Sequence, residues 1–145
     1  MRLIQKVLLS VVALGGASWV NACSIGGLEH EVIFEKNSGL LPTSQVLFLT
    51  NWYVSRRDSS HGIEDVVLFA YASKGDKGAV SVARERAAAV RGVITTLAVV
   101  DAIPPVIRIK ELDKPPLDPL AYDEVIVAIQ PKCAKTHSCC PEPTK

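Results

Sequence analysis

Val82-Ala83-Arg84-Glu85-Arg86-Ala87-Ala88-Ala89-Val90-Arg91-Gly92-Val93-Ile94-Thr95-Thr96-Leu97 is the stretch on which the fold turns. Ala83, Ala87, Val90, Ile94 and Leu97 recur in steps of four and three, while Arg84, Glu85, Arg91 and Thr95 fall off that line. Side chains at that spacing share one face of an α-helix, so the segment buries an apolar stripe and leaves the rest wet. Just upstream, Val66-Val67-Leu68-Phe69-Ala70 is an unbroken apolar run, which predicts a central strand covered on both faces. Downstream, Pro104-Pro105 closes the helical region. Val106-Ile107-Arg108-Ile109-Lys110 then partly alternates, as an edge strand with one wet face does.

Working outward, Glu31-Val32-Ile33-Phe34 reads as a strand from its β-branched and aromatic residues, and Lys36-Asn37-Ser38-Gly39 as a turn. Pro42-Thr43-Ser44 supplies helix-start chemistry, and Val46, Leu49 and Tyr53 continue at helical spacing to an end by Arg57. Asp58-Ser59-Ser60-His61-Gly62 is a loop; without a nucleophile elbow or an oxyanion glycine cluster it carries no catalytic reading. Asp113-Lys114-Pro115-Pro116-Leu117-Asp118-Pro119 is a stiff loop, and Val125-Ile126-Val127-Ala128-Ile129 is the last strand. The order β-α-β-α-β-β over residues 31–130 predicts an α+β fold of two helices packed on a four-stranded mixed sheet.

The chain has 145 residues and a formal charge of +1. Residues 1–22 carry Arg2 and Lys6, an apolar stretch from Val7 to Val20, and Val20-Asn21-Ala22 before Cys23, the layout of a secretory signal peptide. Gly15 and Gly16 interrupt that stretch, which is shorter than the ~20 residues that span a bilayer. Without the leader, 14 basic residues face 15 acidic ones, which argues against nucleic acid or an anionic membrane surface as the main partner. Val20-Asn21-Ala22-Cys23 also resembles a bacterial lipobox, so Cys23 is the candidate lipidation site, with residues 23–30 as a tether. An acyl chain there contributes about 0.8 kcal/mol of membrane anchoring per buried methylene. Ser24 after the cysteine favours the outer membrane in enteric-type sorting. The expectation is an exported, periplasmic, outer-membrane-anchored protein.

The tail, residues 131–145, gathers Cys133, His137, Cys139 and Cys140 within eight positions. These are zinc or copper ligand types, but neighbouring cysteines rarely reach one ion together and the second cysteine pair of a zinc ribbon is missing. In an exported chain a disulfide is the simpler account, joining Cys133 to Cys139 or Cys140. No metal and no cofactor are expected.

Three local patterns resemble the OmpA-like, peptidoglycan-binding periplasmic domain family. Phe34-Glu35-Lys36-Asn37-Ser38-Gly39-Leu40-Leu41 is similar to that family's opening strand and Phe-x-x-x-Ser-x-x-Leu turn. Val67-Leu68-Phe69-Ala70-Tyr71-Ala72-Ser73-Lys74-Gly75 resembles its strand into Gly-His-Thr-Asp-x-x-Gly, and Val82–Val90 its Leu-Ser-x-x-Arg-Ala-x-x-Val helix. Tyr122-Asp123-Glu124-Val125-Ile126-Val127 sits where the family carries Asn-Arg-Arg-Val-Glu-Ile. The resemblance implies binding to the peptidoglycan stem peptide. In the family an Arg fork takes a carboxylate of diaminopimelate and an Asp takes its ammonium.

Residue by residue, the family Arg falls on Arg86, but the Asp falls on Ser73, the helix-leading Asn on Ala79, and the closing Arg pair on Asp123 and Glu124. Asp76 is positioned to replace the lost carboxylate, given a suitable Lys74–Gly78 loop. Arg86, Ser73 and Asp76 are therefore the candidate ligand residues. The implied function is a non-enzymatic cell-envelope domain that binds peptidoglycan. Its first alternative is an envelope lipoprotein of a secretion or conjugation assembly, binding a protein partner on the same scaffold. An exported immunity or inhibitor protein is the other. Asp123 and Glu124 would repel a stem-peptide carboxylate and so favour a protein partner.

Overall fold

A computed structural model of the chain describes residues 27–114, 116–136 and 138–139. The expected leader, the lipobox Cys23 and the disulfide candidate Cys140 lie outside the described residues. The elements run β1 (Glu29–Ile33), α1 (Thr43–Ser59), β2 (Ile63–Ser73), α2 (Lys77–Leu97), β3 (Val106–Leu112), β4 (Glu124–Pro131) and α3 (Lys132–Lys135). Short 3-10 turns occupy Ala98–Val100 and Pro119–Tyr122. Each long helix and each strand forms where patterning placed it; α3 is a single turn in the tail that carried no periodic signal.

The strands form one mixed sheet in the order β1-β4-β2-β3. β4 pairs antiparallel with both β1 and β2, and β2 pairs parallel with β3. A parallel pair needs a long crossover, and α2 is that crossover. β1 starts at Glu29, so Glu29 and His30 belong to the sheet and not to a tether. His30 stacks on Trp52 of α1 with ring centroids 5.1 Å apart, and Trp52 Nε1 donates to Gly27 O at 3.1 Å. Burial holds the His30 imidazole below its usual range, more than neighbouring Glu31 raises it.

Both long helices cover the same face of the sheet. Leu49 and Tyr53 of α1 meet Ala83, Ala87, Val90 and Ile94 of α2 over Val32, Leu68, Val125 and Val127, all nearly or wholly removed from water. Each Val, Leu or Ile among them contributes about 1.5–3 kcal/mol by leaving water. The expectation that the β2 run is covered on both faces is overturned. Burial alternates along it, with Val66, Leu68 and Ala70 inside and Val67, Phe69 and Tyr71 only half-buried on the other side. An apolar run signals the absence of polar residues, and it cannot say whether a layer is present to use the second face.

Candidate functional site

The functional geometry begins with one buried guanidinium. Arg86 sits beside the apolar stripe of α2, 2% exposed, among alanines and valines. A charge there survives only if its donors are satisfied. Nε donates to Ser38 O at 2.7 Å, and Nη2 donates to Glu35 O at 2.8 Å and to Asp123 Oδ1 at 3.0 Å. Nη1 donates to Tyr122 O. Four of its five N–H groups are thus engaged, leaving one. The guanidinium also lies 5.4 Å from the centroid of the Phe34 ring.

Local chain chemistry brings those acceptors within reach. Asn37 adopts a left-handed conformation (φ 57°) that turns the chain after β1, and Ser38 Oγ accepts from Leu40 N. Gly39 lets this turn touch α2, since a Cβ there would lie 2.9 Å from atoms of Glu85. On the other side, Asp118 caps the 3-10 turn by accepting from Leu120 N at 2.9 Å, which presents Tyr122 O and Asp123 to Arg86. Phe34 N donates to Asp123 O at 2.8 Å and closes the gap between the two segments.

Above Arg86 opens a cleft of about 690 Å³. Ser73, Asp76 and Arg86, the three candidate ligand residues, all line it, together with Lys36, Tyr71 and Asp123. Ser73 ends β2, and Gly75 (φ 82°) turns the chain into α2. Asp76 is the N-cap of that helix and accepts from Ala79 N at 3.0 Å. Its carboxylate thus reaches the same cleft as Ser73, three residues after the position where the resemblance expects an Asp. The lining offers charges of both signs and hydroxyls, with no histidine or cysteine among its residues. Such a lining can hold a zwitterion.

Sequence reasoning did not single out Lys36. It lies in a segment read only as a turn, and its place across the cleft depends on β1 and β2 being joined through β4. Beside the cleft, burial raises the Glu124 carboxyl above its usual range, with Glu31 and Asp118 adding repulsion. In the tail, Cys133 and Cys139 are joined by a disulfide, and Lys135 Nζ meets Glu64 Oε1 at 2.7 Å.

No protein-family model matches the chain, and no curated protein matches it in sequence. Solved structures do share its architecture. The OmpA-like domain of FopA1 from Francisella tularensis subsp. tularensis SCHU S4 superposes with a TM-score of 0.53 at 18% identity, covering 74% of this chain and 78% of that one. The periplasmic domain of Helicobacter pylori MotB gives 0.54 at 14% identity, covering 77% and 82%. The C-terminal domain of the same MotB gives 0.51 at 14% identity, covering 75% and 92%. The chain therefore has the OmpA-like fold.

Proposed function

We propose that this is a non-enzymatic cell-envelope domain whose cleft takes up the zwitterionic end of a peptidoglycan stem peptide. The observation that carries it is the convergence of Arg86, Ser73, Asp76 and Lys36 on one cleft of an OmpA-like fold. A diamino-acid side chain ending in a carboxylate and an ammonium finds both counter-charges there. The Lys36 ammonium and the remaining Arg86 N–H take the carboxylate, and Asp76 takes the ammonium. In this reading the chain is exported and held at the outer membrane by a lipid on Cys23. Palmitate labelling that persists in Cys23→Ala would remove the anchor from the proposal.

Arg86 itself is a poor probe, because its loss removes a structural clamp together with a ligand. Asp76→Ser keeps an N-cap and deletes only the carboxylate, and Lys36→Ala removes an exposed ammonium. The expected result is that the wild-type chain sediments with isolated sacculi and that either variant, folded by circular dichroism, loses most of that binding. Wild-type protein that stays in the supernatant would sink the reading.

One observation favours a second reading, a protein partner within a secretion or conjugation assembly. Asp123 already neutralises Arg86 from inside the domain, at the position where the family carries a base. A folded domain that ignores sacculi but is captured by one envelope protein supports it.

A further inference from the structure

The face of the sheet turned away from the helices is patterned, and one of its rows is self-complementary. Strand register fixes its rows. Glu31 pairs with Ile126, Ile126 with Phe69, and Phe69 with Arg108, so one row runs acid, apolar, apolar, base. The row beside it runs Glu29, Ala128, Val67, Val106. Acids therefore lie on the β1 edge and bases on the β3 edge, with a band between that is apolar at its centre and carries Glu124 and Asp65 at its ends. Val106 is 48% exposed and Ile33, on the same face, 43%. Lys110 Nζ lies 4.8 Å from the Phe69 ring centroid, so the basic edge leans in over the band. Among the described residues, Glu29, Glu31, Arg108 and Lys110 make no ion pair.

We propose that this face is a self-association surface, covered by a second copy of the chain turned about an axis along the strands. That rotation lays each row on its own reverse, with Glu31 of one copy over Arg108 of the other, Phe69 over Ile126, and Glu29 over Val106. It is the aligned face-to-face packing of a β-sandwich, with sheets about 10 Å apart. The other face-to-face two-fold, with its axis across the strands, would stack Glu31 on Glu31 and is disfavoured. Four strands about 4.8 Å apart span only ~15–20 Å. The interface is therefore at the small end of specific ones, and the dimer is micromolar or weaker. This surface meets the cleft at Tyr71 but uses none of the ligand residues proposed there, so the proposal stands whether or not the cleft binds peptidoglycan.

Sedimentation of the full chain from about 10 µM to about 1 mM tests it. Glu31→Arg and Arg108→Glu, each checked for native circular dichroism, are expected to weaken self-association about tenfold or more. An equimolar mixture of the two variants is expected to dimerise like wild type, because crossed copies restore both pairs. A general loss of solubility or fold would not produce that rescue. A wild-type chain still monomeric at about 1 mM would overturn the proposal and leave the face to a different protein or to another segment of this chain. So would single variants that associate normally, or a mixture that stays monomeric.

Discussion

Four N–H groups of Arg86 end on acceptors that belong to two segments on either side of it in sequence: Glu35 and Ser38 after β1, and Tyr122 and Asp123 before β4. Three of the four acceptors are backbone carbonyls, so the side chain works as a rivet between the first and last strands as much as a charge. Replacing it by Met strands those carbonyls and leaves Asp123 without its partner. The expected loss is about 3–5 kcal/mol, read from the urea midpoint. Lys, with no planar fork, should recover only a fraction. Asp123→Asn should cost less, about 1–2 kcal/mol, because the three carbonyl bonds persist. An Arg86→Met variant as stable as wild type would mean that the clamp contributes nothing. The place of Arg86 beside the apolar stripe of α2 was legible in the sequence, but the clamp was not. Carbonyl acceptors leave no mark in side-chain identity, and the segments that supply them meet only through tertiary structure.

Among the elements, α2 was the most legible, since its apolar stripe at Ala83, Ala87, Val90 and Ile94 is the face it buries. One residue runs against its helical character: Gly92 lies mid-helix and exposed, with nothing within 4 Å of an added Cβ. Gly92→Ala should therefore raise stability by about 0.5–1 kcal/mol, visible as a higher thermal midpoint. No gain would point to a backbone distortion that glycine alone tolerates. The helix also extends to Lys77, upstream of its apolar stripe, because the Asp76 cap and not hydrophobic spacing sets its start. For the strands, alternation told more than apolar content. β3 alternates and is an edge strand, whereas β2 is apolar without a break from Val66 to Ala70 and still has only one covered face. Neighbouring layers decide that, and no strand encodes its neighbours by itself.

At the scale of the whole molecule, the core holds a phenol that links global stability to pH. Tyr53 is fully buried, and its Oη finds no hydrogen-bond partner among the described residues. Burial, and then the nearby Asp101 carboxylate, pushes its pKa up to about 12, against a slight opposing effect of Arg57. An unfolded tyrosine ionises near 10, so between those values the unfolded chain releases the proton while the folded chain keeps it. This contribution is whole below pH about 10 and drains away as pH rises through about 12. Denaturation at a series of alkaline pH values should find wild type losing stability more steeply than Tyr53→Phe across that window. Equal slopes would mean that Tyr53 does not carry the linkage.

The strand order also has a consequence in time. Glu29 pairs with Ala128, about 100 residues later, and β4, the last strand to be made, lies between β1 and β2 in the sheet. A chain delivered N-terminus first, from a ribosome or through a pore, emerges with two strands that cannot touch until the wedge between them arrives. Such non-local closure slows folding. Only β2 and β3, joined through α2, can pair beforehand, so β1 is added to the sheet in a late event that waits for β4.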